Sequence, residues 1–241
     1  LLIPATPENV MGILSLIFWT LTVLVTFEYT YLAMHIGKKG EGGTIVLKET
    51  LLPLLKSGNQ VAFVSLLAII GISLFIGDGV ITPAISILSA VEGILLIPGF
   101  EHTHQTTLMM MAGLIAIFLF SFQTKGTERV AWTFGPFMVI WFITLAGFGL
   151  LALFSAPAVL WAILPTYAIN YFLSNGLEGF LILSSVILCA TGSEALYADM
   201  GHLGREPIIR AWYLVFCALV LNYFGQGAFA MVDMGDDAKI T

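Results

Sequence analysis

Six long apolar stretches constrain the fold of this chain more than any other feature of its sequence. A helix needs about 20 mainly apolar residues to cross the hydrocarbon core of a bilayer. The stretches that meet this requirement cover approximately residues 10–34, 61–95, 107–122, 130–155, 178–198 and 208–232. We therefore expect an all-α membrane protein in which residues 1–241 form one transmembrane domain of about six spanning helices.

The composition of the chain supports this expectation. Hydrophobic residues make up 59% of the sequence, charged residues 10%, and the mean hydropathy is +0.98. A soluble domain has about 45–50% apolar and about 25% charged residues, so this chain has too few charges to cover a water-facing surface. Its net charge of −6 also argues against nucleic acid as a partner, because nucleic acid binding needs basic patches.

The basic residues are concentrated in alternate loops. Eight of the nine follow the first, third or fifth apolar stretch, and Lys239 is the exception; the eight are Lys38, Lys39, Lys48, Lys56, Lys125, Arg129, Arg205 and Arg210. Loops 96–106 and 156–177 contain neither lysine nor arginine. The positive-inside rule makes the basic side cytoplasmic. We expect a multi-pass protein of the plasma (inner) membrane that begins and ends outside.

Two loops have a predicted local structure. Gly40-Glu41-Gly42-Gly43 predicts a turn, and the following residues 44–48 predict a short amphipathic helix at the cytoplasmic interface. Residues 160–167 are apolar but interrupted by Pro165, and they are expected to form part of an outer loop. Neither end of the sequence resembles a natural terminus, so the chain is expected to be a fragment of a longer protein.

Four acidic residues stand out inside the apolar stretches: Glu28, Asp78, Glu92 and Glu194. Placing a charge at the bilayer centre costs about 2.5–3.5 kcal/mol on insertion scales, and such residues usually face a pathway. Asp78 and Glu194 are expected near mid-depth, where no basic residue can neutralise them. They therefore need cations or protons. The sequence does not assign a role to Glu28 or Glu92.

Asp78 begins a row of oxygen-bearing side chains. Asp78, Thr82 and Ser86 are spaced four residues apart, so on a helix they share one face. Pro83 has no N–H, which leaves the carbonyl of Gly79 without its usual helical donor. We interpret this row as a ladder of oxygens along an ion path. Ordinary hydrogen bonding between helices is an equal alternative for Thr82 and for Ser86.

A second set of oxygens is predicted in the fifth stretch. Gly192 and its small neighbours permit the helix to unwind. Unwound backbone in the middle of the membrane is tolerated only where it lines a cavity, and there its carbonyls can coordinate cations. Thr191 and Glu194 are expected to share that cavity. Asp199 and His202 lie towards the cytoplasmic end, where they form either a proton relay or a solvated helix end.

Several segments together resemble the signatures of the KUP/HAK/KT potassium uptake family. They occur in the family's order and cover nearly the whole chain. The segments are Gly40-Glu41-Gly42-Gly43, residues 77–93 (GDGVITPAISILSAVEG), Lys125-Gly126-Thr127 with Phe134-Gly135-Pro136, residues 191–202 and residues 221–228 (LNYFGQGA).

The resemblance implies the inverted-repeat fold of the amino acid–polyamine–organocation superfamily and proton-coupled potassium uptake. The six stretches would match the family's second to seventh helices, so ligands on its first helix are absent and this piece alone should not transport. The implied potassium ligands are Asp78, Thr82, Ser86, Thr191 and Glu194. The resemblance implies no cofactor. The expected partners are the lipid bilayer and K⁺, with H⁺ as the coupling ion. A homodimer of the full-length protein is one option.

Other functions remain as alternatives. A transporter of the same superfamily for another small cation or for amino acids is the nearest. An intramembrane aspartyl protease using Asp78 and Asp199 is remote, since the two residues are expected at different depths. No zinc-protease or serine-hydrolase motif is present, so an enzyme is not expected. We expect the two histidines of the outer loop, His102 and His104, to be solvated. We expect the two cysteines, Cys189 and Cys217, to be structural.

Overall fold

The computed structural model describes residue 4 and residues 6–37, 40–123 and 127–240; within these ranges it omits the side chains of 122–123, 127–131, 133 and 235–240. Several basic residues behind the charge asymmetry therefore lie outside the described part: Lys38, Lys39, Lys125 and the side chains of Arg129 and Lys239.

Every regular element in the described residues is a helix, which confirms the all-α expectation. The α-helices are α1 (Pro7–Thr20), α2 (Thr44–Leu51), α3 (Gly58–Glu92), α4 (Gln105–Gln123), α5 (Thr127–Leu153), α6 (Pro165–Ile187), α7 (Ser193–Ala198), α8 (Met200–Leu203) and α9 (Arg205–Ile240). Short 3₁₀ helices cover Ala33–His35, Leu52–Leu54, Gly93–Leu96, Pro157–Ile163 and Leu188–Ala190. The helix expected after the turn at residues 40–43 is present as α2.

Among the described residues, five helical segments are long and apolar enough to cross a membrane. They are Pro7–His35, Gly58–Leu96, Phe134–Leu153, Pro165–Ala198 and Arg205–Met234. The third predicted stretch forms a shorter apolar helix, Gln105–Ser121. The chain therefore has the helices of a multi-pass membrane protein.

Residues 165–177 differ from the sequence-based expectation of an outer loop, because they are helical. The side chains of Ala168 and Tyr171 are buried against α1, and this packing stabilises a helix that has no long apolar run of its own. The helical path breaks at Gly176, where φ is +51° and ψ is −125°. That break lies two residues before the start of the predicted fifth span.

The described helices form two compact units, residues 1–61 with 140–241, and residues 62–139. In the first unit, the helical segment Pro7–His35, which begins with α1, contributes to each buried apolar cluster of the described residues. Met11 and Leu14 pack with Phe224, and Leu16 packs with Tyr171. Further along the same helical segment, Leu21 and Val25 pack with Trp212, and Met34 packs with Tyr197. The segment Pro7–His35 is thus the centre of this unit.

The second half of this central segment, Leu21–Leu32, is a π-helix. Two threonine hydroxyls in it donate to carbonyls five residues earlier, which matches the wider turn of a π-helix. Thr26 donates to the carbonyl of Leu21 at 3.2 Å, and Thr30 donates to the carbonyl of Val25 at 2.8 Å. The indole Nε1 of Trp212 donates to the hydroxyl of Thr26 at 2.9 Å. The bond from Trp212 ties the π-helix to α9.

Two glycine contacts allow helices of this unit to pack closely. A Cβ built on Gly12 would lie 2.6 Å from the Cβ of Tyr171, and one on Gly149 would lie 2.7 Å from the Cα of Asn222. Gly225 faces Gly149 in the same crossing of α5 and α9. Small residues serve this purpose in membrane proteins generally, so the 221–228 motif acts here as a packing surface.

The second unit contains most of α3, all of α4 and the first part of α5. Its described apolar side chains are largely exposed, with Ala68, Val91 and Leu108 as the buried exceptions. Such exposure is expected for faces that contact lipid or further helices.

Candidate functional site

The oxygen row on α3 is partly formed by a direct contact. The hydroxyl of Thr82 donates to Asp78 Oδ1 at 2.7 Å, and both residues are half-buried. Ser86 lies one turn further on and is exposed. Pro83 is inside the continuous helix, so the Gly79 carbonyl has no backbone donor at that position. The arrangement offers carboxylate, hydroxyl and carbonyl oxygens along one stretch of helix.

The helix before Glu194 is broken at the position that the sequence predicted. A 3₁₀ turn, Leu188–Ala190, follows α6; Thr191 is then extended (φ −58°, ψ 138°) and Gly192 is left-handed (φ +86°, ψ −3°). The next helix, α7, begins at Ser193, whose hydroxyl donates to the carbonyl of Ala190 at 2.8 Å. Backbone carbonyls around the break are therefore not all engaged in helical hydrogen bonds.

Glu194 makes a specific contact with a residue 150 positions away. The hydroxyl of Thr44 donates to Glu194 Oε1 at 2.8 Å, and both side chains are half-buried. Thr44 is the first residue of α2. The carboxylate therefore lies beside a helix N-terminus, where the partial positive charge of the helix dipole favours an anion.

The loop before Thr44 packs on the two helices that follow the break. A Cβ on Gly42 would lie 2.6 Å from the ring of Tyr197, which is 1% exposed. Gly43 has a φ of +101° and is buried near Ala198. The side chain of Glu41 covers Gly201 on α8. These contacts were not predicted from the sequence, because the paired glycines indicated only a turn.

A cavity of about 530 Å³ lies beside the break. Its lining includes Thr191, Gly192 and Ser193 together with apolar side chains such as Val25 and Trp212. Glu194 is not among the lining residues. The Glu194 carboxylate is instead bonded to Thr44 on α2. The expectation that Thr191 and Glu194 share an ion cavity stays a prediction.

The remaining candidate residues occupy more open positions. Asp199 and His202 are exposed, and the backbone N–H of His202 donates to the carbonyl of Asp199 at 3.0 Å. Glu28 and Glu92 are also exposed in the isolated chain. Cys189 is half-buried and Cys217 exposed, and both are free thiols. Within the described residues, His, Cys, Asp and Glu form no group of three or more that could hold a metal ion.

Residues 2–240 match the sequence model of a family described as the K⁺ potassium transporter integral membrane domain. The chain belongs to this family. The match confirms the resemblance seen in the sequence motifs, and the description agrees with the five helical segments that can span a membrane.

Named relatives of this potassium transporter family member are similar over nearly its whole length. The probable potassium transport system protein Kup of Methanosarcina acetivorans is 64% identical over 229 residues, which are 95% of this chain and 38% of that protein. The probable potassium transport system protein Kup 2 of Geobacter sulfurreducens is 64% identical over 224 residues, 93% of this chain and 37% of that protein.

The chain therefore spans about 38% of the length of the curated relatives it matches. These relatives are named as transport proteins, in agreement with the expectation that the chain is not an enzyme. No solved structure matches the chain.

Proposed function

We propose that this chain is the part of a potassium transporter that holds the mid-membrane ion ligands, and that the complete protein takes up K⁺ together with H⁺ across the plasma membrane. The observation that carries this proposal is the broken apolar helix at residues 188–192 with the Glu194 carboxylate directly after it. Broken helices of this kind coordinate cations in secondary transporters.

The available ligands suit a potassium ion. K⁺ is coordinated by oxygens that replace its hydration shell. The two oxygen sets, Asp78 with Thr82 and Ser86 on α3, and Thr191 with Glu194 around the break, supply carboxylate, hydroxyl and backbone oxygens. We assign them as ligands of the ion or as stations along its path.

Proton coupling is assigned to Glu194, with Asp199 and His202 as a relay towards the cytoplasm. A carboxylate in the membrane without a basic partner can balance either a cation or a proton, and chains of Asp, Glu and His residues form proton relays in transporters. Glu194 is bonded to a hydroxyl. The two relay residues that follow are exposed, Asp199 between α7 and α8 and His202 on α8.

The test of the potassium proposal is rubidium uptake by the complete protein in potassium-starved cells. Asp78→Asn should lower uptake at least about tenfold, since opposite unit charges about 4 Å apart at an effective dielectric constant of about 20 attract by about 4 kcal/mol. Glu92→Gln, which removes an exposed acid at the end of the same helix, is the matched control and should leave uptake near the wild-type value. Wild-type uptake by Asp78→Asn would contradict the ligand assignment.

The coupling ion requires a separate measurement. Purified complete protein in vesicles should move protons with rubidium, and Glu194→Gln should abolish that coupled proton movement. Unchanged proton-coupled uptake in Glu194→Gln would show that Glu194 is not the coupling residue. Competition of rubidium uptake by other alkali cations and by amino acids distinguishes the alternative substrates of the same superfamily.

A further inference from the structure

The loop between the first two predicted spans reaches the candidate ion site directly. Its last glycines pack on α7, and the first residue of α2, Thr44, contacts Glu194 at 2.8 Å. This contact joins a cytoplasmic-side segment to the carboxylate that follows the helix break. The oxygen sets assigned above do not include Thr44.

The hydrogen bond leaves the carboxylate able to bind a cation. An ionised carboxylate has about four lone-pair sites on its two oxygens, and Thr44 uses one of them on Oε1. A donated hydrogen bond to an ionised group is also stronger than a neutral one. The hydroxyl therefore fixes the orientation of the carboxyl group while the remaining sites stay available.

The position of Thr44 is itself determined by close packing. Gly42 contacts the backbone carbonyl and the ring of Tyr197, where a side chain would not fit. Gly43, the residue before α2, is buried and has a φ of +101°, a conformation that glycine adopts without strain. Because Tyr197 lies one turn after Glu194 on the same short helix, the loop and the carboxylate are held on one element.

We propose that Thr44 is a positioning residue for the ion site: it orients the Glu194 carboxylate so that a monovalent cation binds tightly. This inference rests on the proposed function, because it assigns a role in cation binding to the contact. A pre-oriented ligand binds its ion more strongly since less freedom is lost on binding. Thr44 acts through Glu194 and is not itself assigned as an ion ligand.

The first test measures the concentration dependence of rubidium uptake in the complete protein. Thr44→Val keeps the shape of the side chain but removes the hydroxyl; it should raise KM about tenfold, in line with a lost hydrogen bond to a charged group, and leave kcat within about twofold. Thr44→Ser, which restores a hydroxyl, should return KM to within about threefold of the wild-type value.

The matched control is Thr50→Val on the same helix. Thr50 is also half-buried, but its hydroxyl donates to the carbonyl of Val46 in its own helix at 2.8 Å. Its KM should remain that of the wild type. The inference is overturned if Thr44→Val and Thr50→Val give the same KM, or if Thr44→Ser fails to restore it while all variants are present in the membrane in equal amounts.

A second measurement does not depend on transport. In a double-mutant cycle on the purified complete protein, Thr44→Val should lower Tm by less in a Glu194→Met background than in the wild type, because the contact is already lost. If the Tm losses of Thr44→Val and Glu194→Met simply added in the double variant, the two side chains would not interact and the inference would be overturned. If wild-type protein took up no rubidium but the cycle showed coupling, the proposed function and with it the positioning role would fail, while the contact itself would stand.

Discussion

At the scale of single residues, Gly42 determines whether the loop can lie against α7. A Cβ at this position would lie 2.6 Å from Cε2 and 2.7 Å from Cδ2 of Tyr197. The ring is 1% exposed, so it has little room to move. Gly42→Ala should destabilise the complete protein by about 1–3 kcal/mol, as overpacking generally does, and should reduce rubidium uptake through the displaced Thr44.

The measurement is thermal unfolding of the purified protein in detergent, with Gly58→Ala as the control. Gly58 begins α3, has no positive φ and has open space around a built Cβ. Its substitution should leave Tm nearly unchanged. Equal Tm values for the two variants would show that the contact between Gly42 and Tyr197 is not tight in the protein.

Individual site residues differed in how far the sequence could predict them. Asp78 and Glu194 were identifiable because a lone acid in an apolar stretch is costly wherever it lies. Helical spacing alone placed Asp78 and Thr82 on one face, but the hydrogen bond between them was not predicted. Thr44 could not be found in this way, since its contact with Glu194 joins residues 150 positions apart and depends on tertiary packing. The ligand roles themselves stay predictions.

At the scale of helices, the crossing of α5 and α9 depends on two glycines that face each other. A Cβ on Gly149 would collide with the backbone of Leu221 in α9, and a Cβ on Gly225 would collide with the backbone of Gly149 in α5. Gly149→Ala should therefore lower the stability of the complete protein by about 1–3 kcal/mol. The control is Gly147→Ala, because Gly147 is exposed on the same helix and a Cβ there meets nothing.

Unfolding in detergent provides the comparison between these two variants. Gly147→Ala should equal or slightly exceed the wild-type stability, since alanine has the higher helix propensity. A loss of the same size in both variants would contradict the prediction, because a Cβ at Gly147 meets no atom of α9.

Helix α6 shows what apolar runs can and cannot predict. The span expected at residues 178–198 begins just after the break at Gly176, because that part of the chain is mainly apolar. The preceding residues 165–175 contain several polar side chains, which indicated a loop. They are helical because Ala168 and Tyr171 pack against α1 and Asn175 donates to Asn9 Oδ1 at 3.0 Å. Such tertiary support is not visible in a local pattern.

At the scale of the whole molecule, the charge asymmetry predicts an orientation that can be measured directly. With every native cysteine of the complete protein replaced by alanine, Cys189 and Cys217 among them, Ser57→Cys and His102→Cys place single thiols at exposed positions beyond the two ends of the Gly58–Leu96 helical segment. By the positive-inside rule, the basic residues before Gly58 are expected to keep that end cytoplasmic. In intact cells an impermeant maleimide should label His102→Cys at once and Ser57→Cys only after permeabilisation. Labelling of both thiols without permeabilisation, or of Ser57→Cys alone, would contradict the predicted topology.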